Sequence, residues 1–381
     1  MTTLSFSNEK TVLSARFDRN NSGFSLKTTF SKTKAVEAAE SGAAGATDIA
    51  NKSGKAATLH DVARAAGVSL ITASRALGNP ALVSPKTIAR VRDAVDATGY
   101  LPNLLAGDLR SRRSKTVAAP VPAISVQQFL PTVQALTESL HTAGYQVILG
   151  QDAYDDARQD ALLHTMLGRQ PDGIIVGGLI QSARLRHTLR RLAVPVVETW
   201  DLCDDPVDML VGFSHRQVGT AVAGYFQAKG WQRVGIATGD DHRATVRREA
   251  FTAAVARAVP VAVVPAPSSL ALGRRALGDL LAQEPRLEAV YCSSDQLAQG
   301  VMVEAQARGL CIPQDLAICG FGDADFAAHF RPTLTSVQVD GAEIGRRAAG
   351  FILARCRGEA VEPRVQDMGF RIVERQSTGG A

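Results

Sequence analysis

The stretch TLHDVARAAGVSLITASRALGNP, residues 58–80, decides the fold of the N-terminal part of this chain. Its pattern predicts a short helix over Leu59–Ala65, a tight turn at Gly67, and a second helix that starts after Ser69 and ends near Leu77. The first turn of the second helix carries small, polar or isolated apolar side chains, which leaves it free to contact another molecule. A helix presented in this way fits the major groove of B-DNA.

Helix boundaries are marked on both sides of this turn. Thr58 is a typical N-cap, and Asp61 can complete a capping box with it. A third helix is predicted over Pro85–Thr98, because Ser84 can cap it, proline suits its first position and Gly99 can end it. Three short helices within about 45 residues bury little surface, so we expect a small headpiece of marginal stability.

The composition is that of an ordinary globular protein. The 381 residues are 45% hydrophobic and 21% charged, which is enough for two or three packed cores. No apolar run is long enough to span a membrane, and charges interrupt the N-terminal segment where a secretory signal needs continuous apolar residues. We therefore expect a cytoplasmic protein. The five cysteines form no CxxC pair, so reduced thiols are predicted, without disulfides or a zinc site.

The positive charge is concentrated towards the N-terminus. Residues 58–115 contain nine Lys or Arg and four Asp, whereas residues 116–381 contain 25 basic and 28 acidic residues. A basic module on a mildly acidic body is typical of a polyanion-binding domain joined to a domain with another task. Residues 1–57 lack a sustained hydrophobic period and are predicted to be a disordered extension, unless the start codon is assigned too far upstream.

Beyond residue 115, apolar runs alternate with helical patterns. This alternation predicts an α/β domain with parallel sheets and right-handed crossovers. About 265 residues is large for one sheet, so two lobes are expected. The predicted strands are Val117–Ile124, Tyr145–Leu149, Gly173–Val176, Val194–Val197, Arg233–Ala237, Val261–Val264, Ala289–Tyr291 and Ala317–Gly320. Helical patterns between them include Val133–Thr142, Ala161–Leu167 and Val218–Lys229.

Four segments of the N-terminal part together resemble one known family. They are LHDVARAAGVS (59–69), TASRAL (72–77), VSPKTIARV (83–91) and GYLPNLLAGDLRSRRS (99–114). This run is similar to the lactose-repressor (LacI) family of bacterial transcription regulators. The resemblance implies a helix-turn-helix DNA-binding headpiece over residues 58–100, followed by a hinge helix and linker over residues 101–115.

The resemblance assigns DNA contacts residue by residue. Leu70, Ile71 and Arg75 take the positions that read bases. The first two are apolar, so direct readout there would be contact with thymine methyl groups. For Arg75 the alternative is a phosphate contact, which positions the protein without specifying sequence. The residues that would contact phosphate or brace the helix are Ser69, Thr72, Ser74 and Asn79.

The segment Leu101–Ser111 resembles the hinge helix of the family. Asn103 can bond to the backbone, and Ala106 and Leu109 lie three apart on one face. Leu109 matches the leucine that wedges between central base pairs in the minor groove, which kinks the DNA. Gly107 weakens this short helix by about 1 kcal/mol relative to alanine, so we expect a hinge that is disordered unless DNA is bound.

The resemblance continues through residues 116–381. It implies an effector-binding and dimerisation domain like the periplasmic sugar-binding proteins, with two Rossmann-like lobes, three crossovers and the ligand in the cleft. The implied N-lobe comprises residues 116–212 and 341–358, and the implied C-lobe comprises residues 213–339 and 362–381. The crossovers are expected near Val211–Ser214, Val339–Gly341 and Gly358–Pro363.

Two charged residues match cleft positions of the family. Asp295 would accept hydrogen bonds from the hydroxyls of a sugar-like ligand, although it also suits a helix N-cap. Arg247 would bind a carboxylate through paired donors, with Arg248 beside it as the competing candidate.

The tract VETWDLCDDPVDMLVGFSH (197–215) and the ending DMGFRIVERQST (367–378) resemble the gluconate-utilisation repressors within the same family. Glu198 and Trp200, at the carboxyl end of a predicted strand, either line the cleft or form a surface pair beside a loop. The weaker cleft candidates are Ser125, Phe129, Phe213 and Ser214.

No enzyme is expected from this sequence. It contains no GxSxG, P-loop, HExxH or GxGxxG motif, and its seven histidines lack metal-ligand spacing. No catalytic residue, cofactor or metal is predicted.

We expect a homodimeric, ligand-responsive regulator, a repressor, that binds a near-palindromic double-stranded operator and a sugar or sugar acid such as gluconate. The alternative is a cytosolic sugar-binding or sugar-processing protein with an accessory basic module; operator binding that responds to a ligand would separate the two.

Overall fold

The chain divides into two units, residues 1–101 and residues 102–381. The computed structural model describes residues 6–8, 11–13, 57–101, 113–192 and 194–380. Strands β1 (Phe6–Asn8) and β2 (Thr11–Leu13) pair antiparallel. The remainder of the extension lies outside the described residues, so its disorder stays a prediction.

Three helices form the headpiece of the first unit: α1 (Leu59–Ala66), α2 (Leu70–Gly78) and α3 (Pro85–Thr98). Each boundary agrees with its sequence prediction to within one residue. At the start of α1, the backbone N–H of Thr58 donates to the carboxylate of Asp61 at 3.0 Å, which confirms the capping box. Local side-chain caps therefore set these limits.

Gly67 makes the turn between α1 and α2 possible. Its φ of +60° lies in the left-handed region, and a Cβ at this position would lie 2.8 Å from Nη2 of Arg90. That guanidinium donates to the carbonyls of Ala66 and Gly67. The Oγ of Ser69 then caps α2 by accepting from the N–H of Thr72 at 3.1 Å. Turn and cap together set how the first two helices cross.

A small apolar core holds the three helices together. Its buried members are all valine or alanine, namely Val62, Ala66, Ala76, Val91 and Ala94. Side chains of this size bury little area each, and hydrophobic stabilisation is roughly proportional to the buried area. The headpiece therefore depends on its caps and its turn more than a larger domain would.

The second unit contains two six-stranded sheets, one in each lobe. In chain order its strands are β3 (Thr116–Val121), β4 (Gln146–Gln151), β5 (Gly173–Val176), β6 (Val196–Thr199), β7 (Met209–Gly212), β8 (Val234–Gly239), β9 (Val261–Val264), β10 (Ala289–Cys292), β11 (Ala317–Phe321), β12 (Thr335–Gln338), β13 (Val365–Asp367) and β14 (Arg371–Val373). The N-lobe sheet, in the order β13-β7-β6-β5-β3-β4, is parallel throughout. The C-lobe sheet, in the order β14-β12-β11-β10-β8-β9, is parallel except for β14.

Helices follow most strands, as the alternation of patterns predicted. They are α4 (Leu130–Thr142), α5 (Asp156–Leu167), α6 (Ala183–Leu192), α7 (His215–Ala228), α8 (His242–Ala254), α9 (Leu270–Gln283), α10 (Asp295–Ala307) and α11 (Gly341–Cys356). None of the helices in the described residues is long and apolar enough to cross a membrane.

Three crossovers join the lobes, and the third lies further along the chain than expected. The first two follow β7 and β12, as predicted. We expected the third near Gly358–Pro363 and a C-lobe starting at residue 362. That boundary is wrong, because β13 still pairs with the N-lobe, with Val365 opposite Leu210. The chain changes lobe only between β13 and β14.

Glycines bring pairs of helices into direct backbone contact in both lobes. In the C-lobe, a Cβ at Gly219 of α7 would lie 2.3 Å from the carbonyl oxygen of Arg247 on α8. In the N-lobe, a Cβ at Gly345 of α11 would lie 2.4 Å from the carbonyl oxygen of Thr132 on α4. Contacts this close leave no room for sliding, so each pair behaves as one rigid body.

Replacing Gly67 with alanine is expected to destabilise the headpiece by about 1–2 kcal/mol, because a residue with a Cβ disfavours the left-handed region. Amide hydrogen exchange of α1 and α2 in the intact protein measures this change. The matched control is Gly78→Ala, since no atom lies within 4 Å of a Cβ at Gly78. That control should keep or raise protection by up to about 1 kcal/mol. Equal protection in the two variants would contradict the role given to Gly67.

Candidate nucleic-acid interface and ligand cavity

The outer face of α2 carries the residues assigned to base reading. Leu70 and Ile71 are 37% and 63% exposed, and Arg75 is exposed one turn further on. The opposite face, with Ala73 and Ala76, is buried in the headpiece core. Large apolar side chains held in solvent at a helix start have no packing role here. They suit contact with base edges in a groove.

The four polar residues around α2 differ in their surroundings. The hydroxyls of Ser69 and Thr72 lie 2.8 Å apart, so these two residues brace the start of the helix. Ser74 is half-buried, and Asn79 is exposed at the C-cap, where its N–H donates to the carbonyl of Arg75 at 2.8 Å. Their phosphate contacts remain predictions.

The predicted hinge residues lie outside the described residues; they are Asn103, Ala106 and Leu109. Where the description resumes, the chain is fastened to the N-lobe by Asp172. This carboxylate accepts from the backbone N–H of Ser114 at 2.8 Å and from that of Lys115 at 3.2 Å. The C-terminal side of the linker is thus anchored to the loop that precedes β5.

A narrow cavity lies between the lobes, at the carboxyl ends of their strands. This is where ligands bind in parallel α/β folds. The N-lobe contributes Val126, Gln128, Tyr154 and Trp200. The C-lobe contributes His215, Asp241, Arg243, Arg247, Ala266, Ser268, Ser293 and Ser294.

Arg247 supplies a buried positive charge to this cavity. Its residue surface is 4% exposed. Nη1 donates to Nδ1 of His215 at 2.8 Å, Nη2 donates to the carbonyl of Ser293 at 3.0 Å, and the Nε–H has no partner. The guanidinium carbon lies 4.1 Å from the ring centroid of Phe321. The protein partners described for this cation are therefore all uncharged.

Trp200 forms the N-lobe wall of the cavity and is held there from three sides. Its ring packs edge-on against Phe129 and Phe213, with centroids 4.8 and 5.8 Å away. Its Nε1–H donates to the hydroxyl of Thr132 at 3.0 Å. The backbone has a φ of +64°, which is unusual for a residue with a side chain. Phe129 and Phe213 are thus supports of Trp200, and neither lines the cavity itself.

Glu198 does not line the cavity. Its fully buried carboxylate accepts from the backbone N–H of Ile180 at 2.8 Å and from that of Val207 at 2.7 Å, with Nη1 of Arg186 3.5 Å away. Burial raises the pKa of this carboxyl, although the hydrogen bonds and the arginine act in the opposite direction. Both alternatives considered for Glu198, the cleft and the surface, are wrong, because it ties together the loops after β5 and β6.

The two serine candidates also lie elsewhere. Ser125 is exposed, and its carbonyl accepts from Nε2 of Gln296 at 3.3 Å. Ser214 caps α7, where its hydroxyl accepts from the N–H of Gln217 at 3.2 Å. Both serine side chains therefore lie outside the lining of the cavity.

Asp295 lies in a smaller adjoining cavity that shares Ser294 with the first. Its carboxylate accepts from the hydroxyl of Ser336 and from the N–H of Ala324, both at 2.7 Å. Burial raises the pKa of Asp295 to about 6, although both hydrogen bonds act in the opposite direction. The N-cap alternative for Asp295 is wrong, because the hydroxyl of Ser294 caps α10 by accepting from the N–H of Leu297.

Arg243 is a cavity residue that sequence reasoning missed. Its Nη1 crosses between the lobes and donates to the carbonyl of Gly177 at 3.1 Å. Its guanidinium carbon lies 5.1 Å from the ring centroid of Phe129 and 5.8 Å from that of Tyr154. A signal was available, since Arg243 follows closely on the carboxyl end of a predicted strand.

Tyr154 was also missed, and no sequence signal could have found it. Ala153 and Tyr154 have φ values of +59° and +63°, which no pattern predicts for residues other than glycine or asparagine. The carboxylate of Asp152 accepts from the N–H of Tyr154 at 3.1 Å and holds this turn.

Within the described part of the chain, no group of three or more His, Cys, Asp or Glu side chains could hold a metal ion.

Replacing Asp295 with asparagine is expected to remove a pH dependence of stability. Because the folded pKa of about 6 lies above the unfolded value of 3.8, the folded state binds the proton more tightly. The free energy of unfolding of the wild type should therefore fall by up to about 3 kcal/mol as the pH rises from about 4 to about 6.5. Urea unfolding of both proteins across this range measures the difference. Asp279→Asn, at an exposed position on α9, should follow the wild type; a parallel curve for Asp295→Asn would contradict the expectation.

Comparison with known proteins agrees with this architecture. Residues 58–103 match the family of bacterial regulatory proteins called lacI, and residues 223–378 match a periplasmic binding protein-like domain. The HTH-type transcriptional regulator GntR of Pseudomonas aeruginosa is 36% identical over 327 residues, which cover 84% of this chain and 95% of that protein. The regulator of the same name from Escherichia coli K12 is 31% identical over 335 residues, which cover 86% and 99%.

A solved structure shares the fold over most of the chain. A transcriptional regulator of the same family from Silicibacter pomeroyi is 31% identical, with a TM-score of 0.79 over 84% of this chain and 99% of that one. Together, the exposed recognition helix, the two-lobed domain with its cavity, and these relatives identify the molecule. The chain belongs to the lacI family of bacterial regulatory proteins, and it is a DNA-binding transcription regulator with a ligand-binding domain.

Proposed function

We propose that this regulator is a repressor of sugar-acid metabolism whose ligand is a polyhydroxylated carboxylate such as gluconate. The observation that carries the proposal is the buried guanidinium of Arg247, a residue that lines the cavity and whose Nε–H has no partner among the described residues. Arginine keeps its charge in proteins, and a buried charge with only uncharged partners is costly. A ligand carboxylate lowers that cost and can accept two parallel hydrogen bonds from a guanidinium.

The remaining lining suits the hydroxylated part of such a ligand. Gln128, Asp241 and Ser268 offer hydrogen-bond acceptors and donors around the cavity. The rings of Tyr154 and Trp200 offer apolar surface for the carbon chain. Asp295, in the adjoining cavity, can accept from a hydroxyl that reaches past Ser294. The likeness of the tract around Trp200 to the gluconate-utilisation repressors supports the same ligand class.

We propose binding without turnover. The histidine in the cavity, His215, has both ring nitrogens engaged by Arg247 and by the carbonyl of Trp200. It is therefore not free to act as a general base. The proposal places the protein in the cytoplasm, where both the operator and a metabolite are available.

The proposed DNA target is a near-palindromic operator bound by a homodimer. Leu70 and Ile71 would contact thymine methyl groups, and Arg75 would bind a base edge. Leu109, outside the described residues, would wedge into the minor groove from the hinge. A ligand that changes the lobe arrangement would alter the hinge pair, and a coupling of about 1–3 kcal/mol would change operator affinity about 5–150-fold.

Isothermal calorimetry should rank gluconate above glucose by at least about tenfold in affinity, which corresponds to about 1.4 kcal/mol. Glucose lacks the carboxylate that would pair with the buried guanidinium, so donors would stay unsatisfied. Arg247→Ala should erase this preference while leaving operator binding intact. Arg248→Ala, one residue further along the same helix, is the matched control and should keep the preference. Equal binding of glucose and gluconate by the wild type would sink the proposal, and sugar phosphates would then be tested.

Arg75→Ala should weaken operator binding by about 1–3 kcal/mol and relax discrimination at one base pair in each half-site. Binding to a panel of operators with single substitutions, at one fixed salt concentration, measures both effects. A uniform loss across the panel would instead show that Arg75 contacts phosphate. Arg64→Ala, at an exposed position on α1, controls for the loss of one positive charge from the headpiece.

A further inference from the structure

The ring of His215 is bonded to both lobes. Its Nδ1 accepts from Nη1 of Arg247, on the C-lobe helix α8, at 2.8 Å. Its Nε2 lies 2.9 Å from the carbonyl oxygen of Trp200, on the N-lobe loop after β6. The residue is almost completely buried and stands at the start of α7, directly after the first crossover. One side chain therefore connects the proposed anion site with the opposite wall of the cavity.

The contacts of His215 determine its protonation state. An arginine can only donate, so Nδ1 must carry a lone pair and the proton must lie on Nε2, which donates to the carbonyl of Trp200. Burial, followed by the positive charge of Arg247, lowers the pKa of His215 well below its ordinary value. Phe213 and Phe321 pack against the ring, with centroids 4.6 and 6.1 Å away. The imidazole is thus neutral, in one tautomer and in one orientation.

We infer that His215 is a positioning residue, which orients the guanidinium of Arg247 for the ligand carboxylate and ties it to the Trp200 wall. This inference rests on the proposed role of Arg247 in binding the ligand. With Nη1 held by the imidazole and Nη2 held by the carbonyl of Ser293, the guanidinium plane is fixed at two corners. The Nε–H and the remaining Nη hydrogens stay available for an anion. Because these donors are held in place before binding, less free energy is lost in ordering them when the ligand binds.

The same geometry links ligand binding to the arrangement of the lobes. An anion on Arg247 favours the guanidinium orientation that keeps Nη1 on His215. The imidazole in that orientation directs its Nε2–H towards the carbonyl of Trp200, in the other lobe. Ligand binding therefore stabilises the approach of the lobes seen in this structure.

Two substitutions in the full-length protein separate positioning from simple packing. His215→Leu removes both hydrogen bonds, whereas His215→Gln keeps an amide oxygen that can accept and an N–H that can donate. Calorimetric titration with gluconate should show at least about tenfold weaker binding for the leucine variant. The glutamine variant should stay within about threefold of the wild type. His187→Gln, at an exposed position on α6, is the matched control and should be unchanged.

A second measurement needs no ligand. The chain has two tryptophans, so Trp231→Phe leaves Trp200 as the only indole fluorophore. In that background, His215→Leu should shift the emission of Trp200, and His215→Gln should not. Operator binding without ligand, unchanged in every variant, shows that all of them fold.

Each outcome decides the inference. Weaker gluconate binding by His215→Leu, together with near-wild-type binding by His215→Gln, supports the inference. Wild-type affinity in the leucine variant, or an equal loss in both variants, overturns it. If the wild type itself fails to bind gluconate, the proposed ligand is wrong, and the Trp200 emission alone then decides whether His215 positions the wall.

Discussion

The buried guanidinium of Arg247, which has no carboxylate partner among the described residues, is the constraint on which the rest of the ligand domain depends. The C-lobe supplies Arg247 together with a carbonyl, an imidazole and the face of Phe321 around it. The N-lobe supplies a wall of rings, with Trp200 at its centre. In the proposed function, the carboxylate of the ligand neutralises this charge. Parallel sheets make this possible, because they bring the loops that follow their strands to one edge of each lobe.

The headpiece was predictable almost completely because its determinants are local. Caps, a left-handed glycine and a proline at a first helical position act within a few residues, so the sequence displays them directly. The buried parallel strands were predictable for a similar reason, since their continuous apolar runs stand out. Arg247 and Trp200 were found through the family resemblance, because nothing in the sequence pattern around either residue marks it as part of a cavity.

The features that the sequence analysis placed wrongly depend on contacts between residues that are distant in sequence. The edge strand β13 has no apolar run, since it is partly exposed, and only its pairing with β7 defines it. Glu198 occupies the end of a strand, where a carboxylate can face either the ligand or the backbone of the next loop. That choice is made by the N–H groups of Ile180 and Val207, which are far from each other in sequence. Tyr154 reaches the cavity through a backbone conformation that its residue type disfavours.

The backbone contact at Gly219 determines where the molecule would separate when the lobes part. Because the backbones of α7 and α8 are in direct contact there, His215 and Arg247 move together as part of the C-lobe. Trp200 belongs to the N-lobe. The bond between imidazole and guanidinium therefore survives opening. The bonds that cross the cleft must break, among them those from His215 to the Trp200 carbonyl, from Arg243 to the Gly177 carbonyl and from Gln296 to the Ser125 carbonyl. Each of these bonds ends on a backbone oxygen, a group that substitution of a side chain cannot delete.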